Sequence, residues 1–130
     1  MRPVAREDLL DLTAYEKARA EIRERVIQVK ASRRIHLGDA LTFLFENRDT
    51  VRYQVQEMVR AERMVREEDI AHELETYNEL LGGPGELAVT LLIELTEAAE
   101  RDEKLRQWLD LPRHLYLRLE DGTKVRARYD

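Results

Sequence analysis

Leu87-Ala88-Val89-Thr90-Leu91-Leu92-Ile93-Glu94-Leu95 decides the fold class. Its odd positions are all apolar and its even positions, Leu92 apart, are smaller or polar. That period of two predicts a half-buried strand. Upstream the period is three to four, and Gly82-Gly83-Pro84-Gly85 separates the two regimes as a helix stop and linker.

Toward the C-terminus, Thr96 can cap a helix over Glu97 to Leu109 with Leu105, Trp108 and Leu109 facing inward, and Leu111-Pro112 stops it. Leu115, Leu117 and Leu119 alternate with polar neighbours, as do Val125, Ala127 and Tyr129, which predicts two strands. A two-residue Asp121-Gly122 loop would pair Leu117 with Arg126. A three-residue loop, Glu120-Asp121-Gly122, pairs Leu117 with Val125 and Leu115 with Ala127, and only this register keeps the apolar sets together. It also puts Gly122 at the left-handed position of a bulged turn.

Toward the N-terminus, Thr13-Ala14-Tyr15-Glu16 matches a capping box, and Tyr15, Ala18, Ile22, Val26 and Val29 form one stripe of a helix over about 14–31. Gly38-Asp39 breaks the chain, and Asp39 can cap a short apolar helix, Ala40 to Phe45. A longer helix spans about Asp49 to Val65, with Val51, Val55, Met58, Val59 and Val65 on one arc. Another runs from about Glu67 to Leu81 on Ile70, Leu74, Tyr77 and Leu81. The whole reads as α+β: four N-terminal helices covering a small sheet built from the strand-helix-hairpin half. It forms a single domain, 1–130, with a helical part to residue 81 and a strand-helix-hairpin part from 86. Its short strands leave open edges that invite pairing with another copy.

The 130 residues include 22 basic and 27 acidic side chains, a net charge of −5, and no cysteine. The missing thiols exclude disulfides, thiol catalysis, iron–sulfur ligation and cysteine zinc sites. No apolar run reaches the roughly 18–20 residues of a membrane span. The N-terminus lacks a signal peptide's apolar stretch. These features predict a cytoplasmic protein without a membrane segment. The acidic second half argues against broad nucleic-acid binding.

Leu44-Phe45-Glu46-Asn47-Arg48-Asp49-Thr50-Val51-Arg52-Tyr53-Gln54-Val55-Gln56-Glu57-Met58-Val59-Arg60-Ala61-Glu62-Arg63 resembles the bacterial family known as domain of unknown function 3501. Lys30-Ala31-Ser32-Arg33-Arg34-Ile35, Tyr77-Asn78-Glu79-Leu80-Leu81 and Ala88-Val89-Thr90-Leu91-Leu92-Ile93-Glu94 fit the same pattern. The resemblance implies no established activity or cofactor. It implies a gene neighbourhood of rubrerythrin-like and iron–sulfur oxidoreductases, hence an accessory role in redox or oxidative-stress metabolism. Family members continue past the equivalent of Asp130, so this chain reads as short or truncated there.

Candidate site residues come from the two central helices. Glu62 falls in the middle of the apolar arc of residues 49–65, where an unpaired carboxylate is costly; Arg66 and Asn78 are its expected partners. Glu57 lies on the opposite face with Glu46, Thr50, Tyr53 and Arg60, a mixed polar surface suited to a cleft or a subunit interface. Glu46, Asn47, Arg48, Tyr53, Glu57, Arg60, Glu62, Arg63, Tyr77 and Asn78 form the candidate polar site. No Glu-x-x-His exists, so a di-iron carboxylate site is not expected, and no metal or cofactor is assigned. Neither a Gly-x-Ser-x-Gly nor a phosphate loop is present. The expected function is a non-enzymatic accessory or interaction protein, homo-oligomeric, with a redox protein as a possible partner. The alternative is a small-ligand-binding protein or enzyme using the groups around Glu57 or the Glu62–Asn78 pair.

Overall fold

The computed structural model describes residues 2–129. The chain divides into two compact units, Met1–Glu94 and Leu95–Asp130. Both are mixed, so the protein is α+β, with four α-helices and two small antiparallel sheets among the described residues.

In the first unit, α1 spans Leu12–Ala31. Its cap is Asp11, whose Oδ1 accepts from the Ala14 N–H at 2.8 Å, and not the Thr13 box the sequence suggested. Asp11 starts the helix two residues earlier because a carboxylate reaches the orphan N–H groups at least as well as a hydroxyl. Tyr15 and Val26 of the expected stripe are buried.

The expected helix over Ala40 to Phe45 is instead a strand. Arg34–Leu37 is β1 and Leu41–Phe45 is β2, an antiparallel pair joined through Gly38 at φ 64°. The run is too short to hold itself as a helix, and Thr42, Phe43 and Phe45 favour an extended backbone. Val89–Ile93, β3, pairs with the other side of β2, giving the order β1-β2-β3. The strand that decided the fold class therefore joins this front hairpin, and the C-terminal hairpin forms a separate two-stranded sheet. The register sets Thr42 and Leu44, the two buried residues of β2, opposite Leu92 and Thr90, so all four lie on one side of the sheet.

Two helices complete the first unit. Arg48–Ala61 is α2, and Glu67–Asn78 is α3. Val51, Val55 and Val59 of α2 meet Ile70 and Leu74 of α3, with Val4 and Leu9 from the N-terminal segment closing this core. Helix α2 stops at Ala61, short of the expected Val65. Arg63 adopts φ 51°, its N–H bonds to Arg60 O at 3.2 Å, and Met64 N–H reaches back to Val59 O at 3.0 Å. That is a Schellman ending with an arginine where glycine is usual. Val65 is consequently 78% exposed.

In the second unit, α4 spans Ala98–Gln107, and β4 (Tyr116–Arg118) pairs antiparallel with β5 (Lys124–Arg126). Leu117 faces Val125, Leu115 O accepts from Ala127 N–H at 3.1 Å, and Gly122 has φ 90°. The three-residue turn of the sequence reading holds. No described residue of this unit is fully buried, and Leu109, expected inward, is 83% exposed. Helix α4 ends before it, so Leu109 leaves the helical face.

Candidate functional site

The first polar cluster lies between α1 and α2. Tyr15 and Arg19 are one turn apart on α1, and Tyr53 and Glu57 one turn apart on α2, so both pairs project from single faces. The Tyr15 hydroxyl donates to Glu57 Oε2 at 2.6 Å. Arg19 grips the same carboxylate with Nε at 3.0 Å and Nη2 at 2.8 Å, a two-pronged pair. This pairing with Arg19, helped by Tyr15, pulls Glu57 down to about 2 against the opposing effect of burial. Tyr15, with no exposed surface, is pushed well above the usual phenol range by burial and by the carboxylate beside it. Burial, and then Glu57, also raise Tyr53.

Lys30 extends this cluster toward the sheet. Its Nζ lies 5.5 Å from the Tyr53 ring centroid, a cation–π contact. Burial and the neighbouring Arg34 lower its pKa, and Glu46 opposes them.

Glu46 forms a second knot where β2, β3 and α2 meet. Its Oε2 accepts from Thr50 Oγ1 at 2.5 Å and its Oε1 from Thr90 Oγ1 at 3.0 Å. Its own N–H bonds to Ala88 O, continuing the β2–β3 ladder. Arg33 donates to Phe45 O at 2.6 Å from the β1 side. Asn47 caps α2 through the Thr50 N–H at 2.9 Å, and Thr50 returns the bond to Asn47 N–H. This is a capping box, so Asn47 serves the helix. Arg48 pairs with Asp8 at 2.9 Å, and its buried Nε has no partner among the described residues.

The remaining candidates do not converge. Glu62 is the exposed C-cap residue of α2, not the centre of a buried arc. Arg66 pairs with Glu68, not with Glu62. Asn78 is occupied by the Val4 backbone, taking its N–H on Oδ1 and giving Nδ2–H to its carbonyl, both at 2.9 Å. The proposed Glu62–Asn78 pair does not form, because the turn at Arg63 ends α2 before Glu62 can point into the core. Tyr77 packs half-buried against that core. Arg60 pairs with Glu16 across the helices. Glu62 and Arg63 instead line an open cavity of about 430 Å³ with Arg66, Asp69, His72 and Glu73. Among the described residues no group of three or more His, Asp or Glu side chains could hold a metal ion.

Sequence reasoning missed Arg19, Lys30 and Thr90. The signal for Arg19 was its four-residue spacing from Tyr15, beside Tyr53 and Glu57 at the same spacing. Thr90 was read only as a strand position, and its link to Glu46 crosses 44 residues.

The third feature is the sheet itself. Ile35 faces Phe43, which faces Leu91; Leu37 faces Leu41, which faces Ile93; Phe45 faces Val89. These eight apolar side chains share one face by strand alternation. The other face carries Arg34, Leu44 and Thr90 in one row and His36, Thr42 and Leu92 in the next, with Thr42 and Leu44 buried. The all-apolar face leaves Ile35 54%, Leu37 56% and Val89 40% exposed.

A three-stranded sheet with Thr42 and Leu44 buried on one face, together with a carboxylate clamp between two helices, defines a mixed α+β protein. Its sequence matches the family described as protein of unknown function DUF3501 over residues 3–130, and the chain belongs to that family. It is also similar to the crystal structure of a novel protein of unknown function from Burkholderia pseudomallei, with 33% identity and a TM-score of 0.91. That match covers 95% of this chain and 64% of the other, so this chain spans less than two thirds of its relative's length. None of the curated proteins is similar to it.

Proposed function

We propose that this protein is a non-enzymatic accessory protein that works by binding other polypeptides, copies of itself first, through the apolar face of its three-stranded sheet. The observation that supports this reading is the composition of that face: eight large apolar residues and no polar one, with Ile35 and Leu37 more than half exposed. A contiguous patch of that kind marks an interaction surface. The carboxylate most suited to chemistry, Glu57, is already gripped by Tyr15 and Arg19, and a base so occupied is a clamp between helices. A redox protein as a further partner rests on the gene neighbourhood that the family resemblance implies. Replacing both Ile35 and Leu37 by lysine tests the reading by light scattering. The wild-type chain is expected to associate at tens of micromolar and the double variant to be a monomer of unchanged circular dichroism. Equal masses for the two proteins would remove the sheet face from the account.

A further inference from the structure

The C-terminal hairpin presents a second surface of different chemistry. Tyr116 faces Arg126 and Arg118 faces Lys124, so these four side chains share one face, opposite Leu117 and Val125. Lys124 Nζ lies 4.8 Å and the Arg126 guanidinium carbon 5.4 Å from the Tyr116 ring centroid, which holds the two cations side by side over an exposed aromatic. Among the described residues no carboxylate pairs with Arg118, Lys124 or Arg126, and every residue of both strands is exposed. Asp121, an acid of the turn, accepts from the Thr123 N–H at 2.8 Å, which lowers its pKa. Arg126 Nη1 donates to the Arg113 carbonyl at 3.5 Å, and on a chain of net charge −5 this cationic strip without a carboxylate partner is a local exception.

Each strand has three residues, and β4 and β5 have only each other among the described residues. A lone two-stranded hairpin is marginal in water and gains from a third strand. We propose that the β4–β5 hairpin takes up an extended acidic polypeptide segment as that third strand. Alternate residues of a strand recur at about 6.8 Å on one face, so a segment whose backbone pairs with the open edge of β5 sets alternate carboxylates beside Lys124 and Arg126, with Arg118 one strand further across. Arginine favours carboxylates through paired donors.

Other polyanions fit less well. A nucleic acid would use the cations but leave the strand edge unpaired, and the acidic remainder of the chain would repel its length. An anionic membrane would need apolar and basic groups on one side, whereas here they lie on opposite faces of the hairpin. In a second copy the acidic clusters Glu67, Glu68 and Asp69, and Glu100, Asp102 and Glu103, lie on helices α3 and α4 among the described residues, not on a strand. The hairpin belongs to the second unit and the apolar sheet to the first, and the inference stands whether or not the reading of that sheet does.

The test is fluorescence anisotropy at low salt with a short labelled peptide of alternating glutamate and threonine. An unlabelled single-stranded oligonucleotide of equal charge serves as competitor. The full-length chain is expected to bind the peptide. Arg118→Glu with Arg126→Glu should weaken binding by about tenfold or more, and Lys17→Glu with Arg25→Glu on α1 by no more than about twofold. Peptide-induced amide shifts in the unmodified chain should fall on β4 and β5, which keeps the test valid if the hairpin variant misfolds. No binding, equal affinity in the hairpin and α1 variants, shifts elsewhere, or tighter binding of the oligonucleotide would each overturn the inference.

Discussion

Glu57 is where one residue's environment becomes a pH dependence. Its folded-state pKa of about 2 lies below a glutamate's usual 4.5, so its contribution is fully present above pH 4.5 and fades as pH falls toward 2. With the side chain 23% exposed, the clamp contributes about 2–3 kcal/mol. Glu57→Gln should therefore cost about that much in urea denaturation at pH 7, and the gap from wild type should nearly close at pH 2. A gap independent of pH would mean that Arg19 does not hold the carboxylate. Tyr15→Phe should cost about 1 kcal/mol at neutral pH by removing one bond and leaving Arg19 in place. Arg63 runs the other way. It sits at φ 51°, where glycine carries no strain, so Arg63→Gly should stabilise the protein by about 0.5–1 kcal/mol in a thermal melt. A lower melting temperature would show that the arginine side chain makes up for its backbone.

Among the elements, the register and turn of the C-terminal hairpin were legible, though not its separation from the β1-β2-β3 sheet. Its turn follows from one requirement, that Leu117 and Val125 share a face, and Gly122 at φ 90° supplies the left-handed residue. Gly122→Val should weaken the unit, seen as faster amide exchange in β4 and β5, because a β-branched residue resists positive φ; unchanged exchange would refute the turn's role. The front hairpin was not legible. Leu41 to Phe45 is a short apolar run, and such runs carry no period that separates a strand from a buried helix. What decides it is its pairing with Val89–Ile93, some fifty residues away, which no local pattern contains. Glu62 was misplaced for a related reason. The apolar period continues to Val65, but the backbone does not, and a left-handed arginine gives no warning in the sequence that a glycine would have given.

At the scale of the whole molecule, α+β composition and the burial of Val51, Val55, Ile70 and Leu74 could be read from periodicity, since those are local amphipathic stripes. The polar candidates were legible only as residue types. Glu46, Asn47, Arg48, Tyr53, Glu57 and Arg60 all take part in hydrogen bonds, ion pairs or ring contacts, yet with partners chosen by tertiary contact: Thr90, Asp8, Lys30, Arg19 and Glu16. These contacts engage the polar candidates, and the proposed role rests on the apolar sheet face. The account therefore turns on whether that face is covered in solution. Sedimentation equilibrium of the intact chain at tens of micromolar measures this directly, beside the variant carrying Ile35→Lys and Leu37→Lys. The expected result is a self-associated wild type and a monomeric, folded variant; a wild type that stays monomeric across the concentration range would contradict the account.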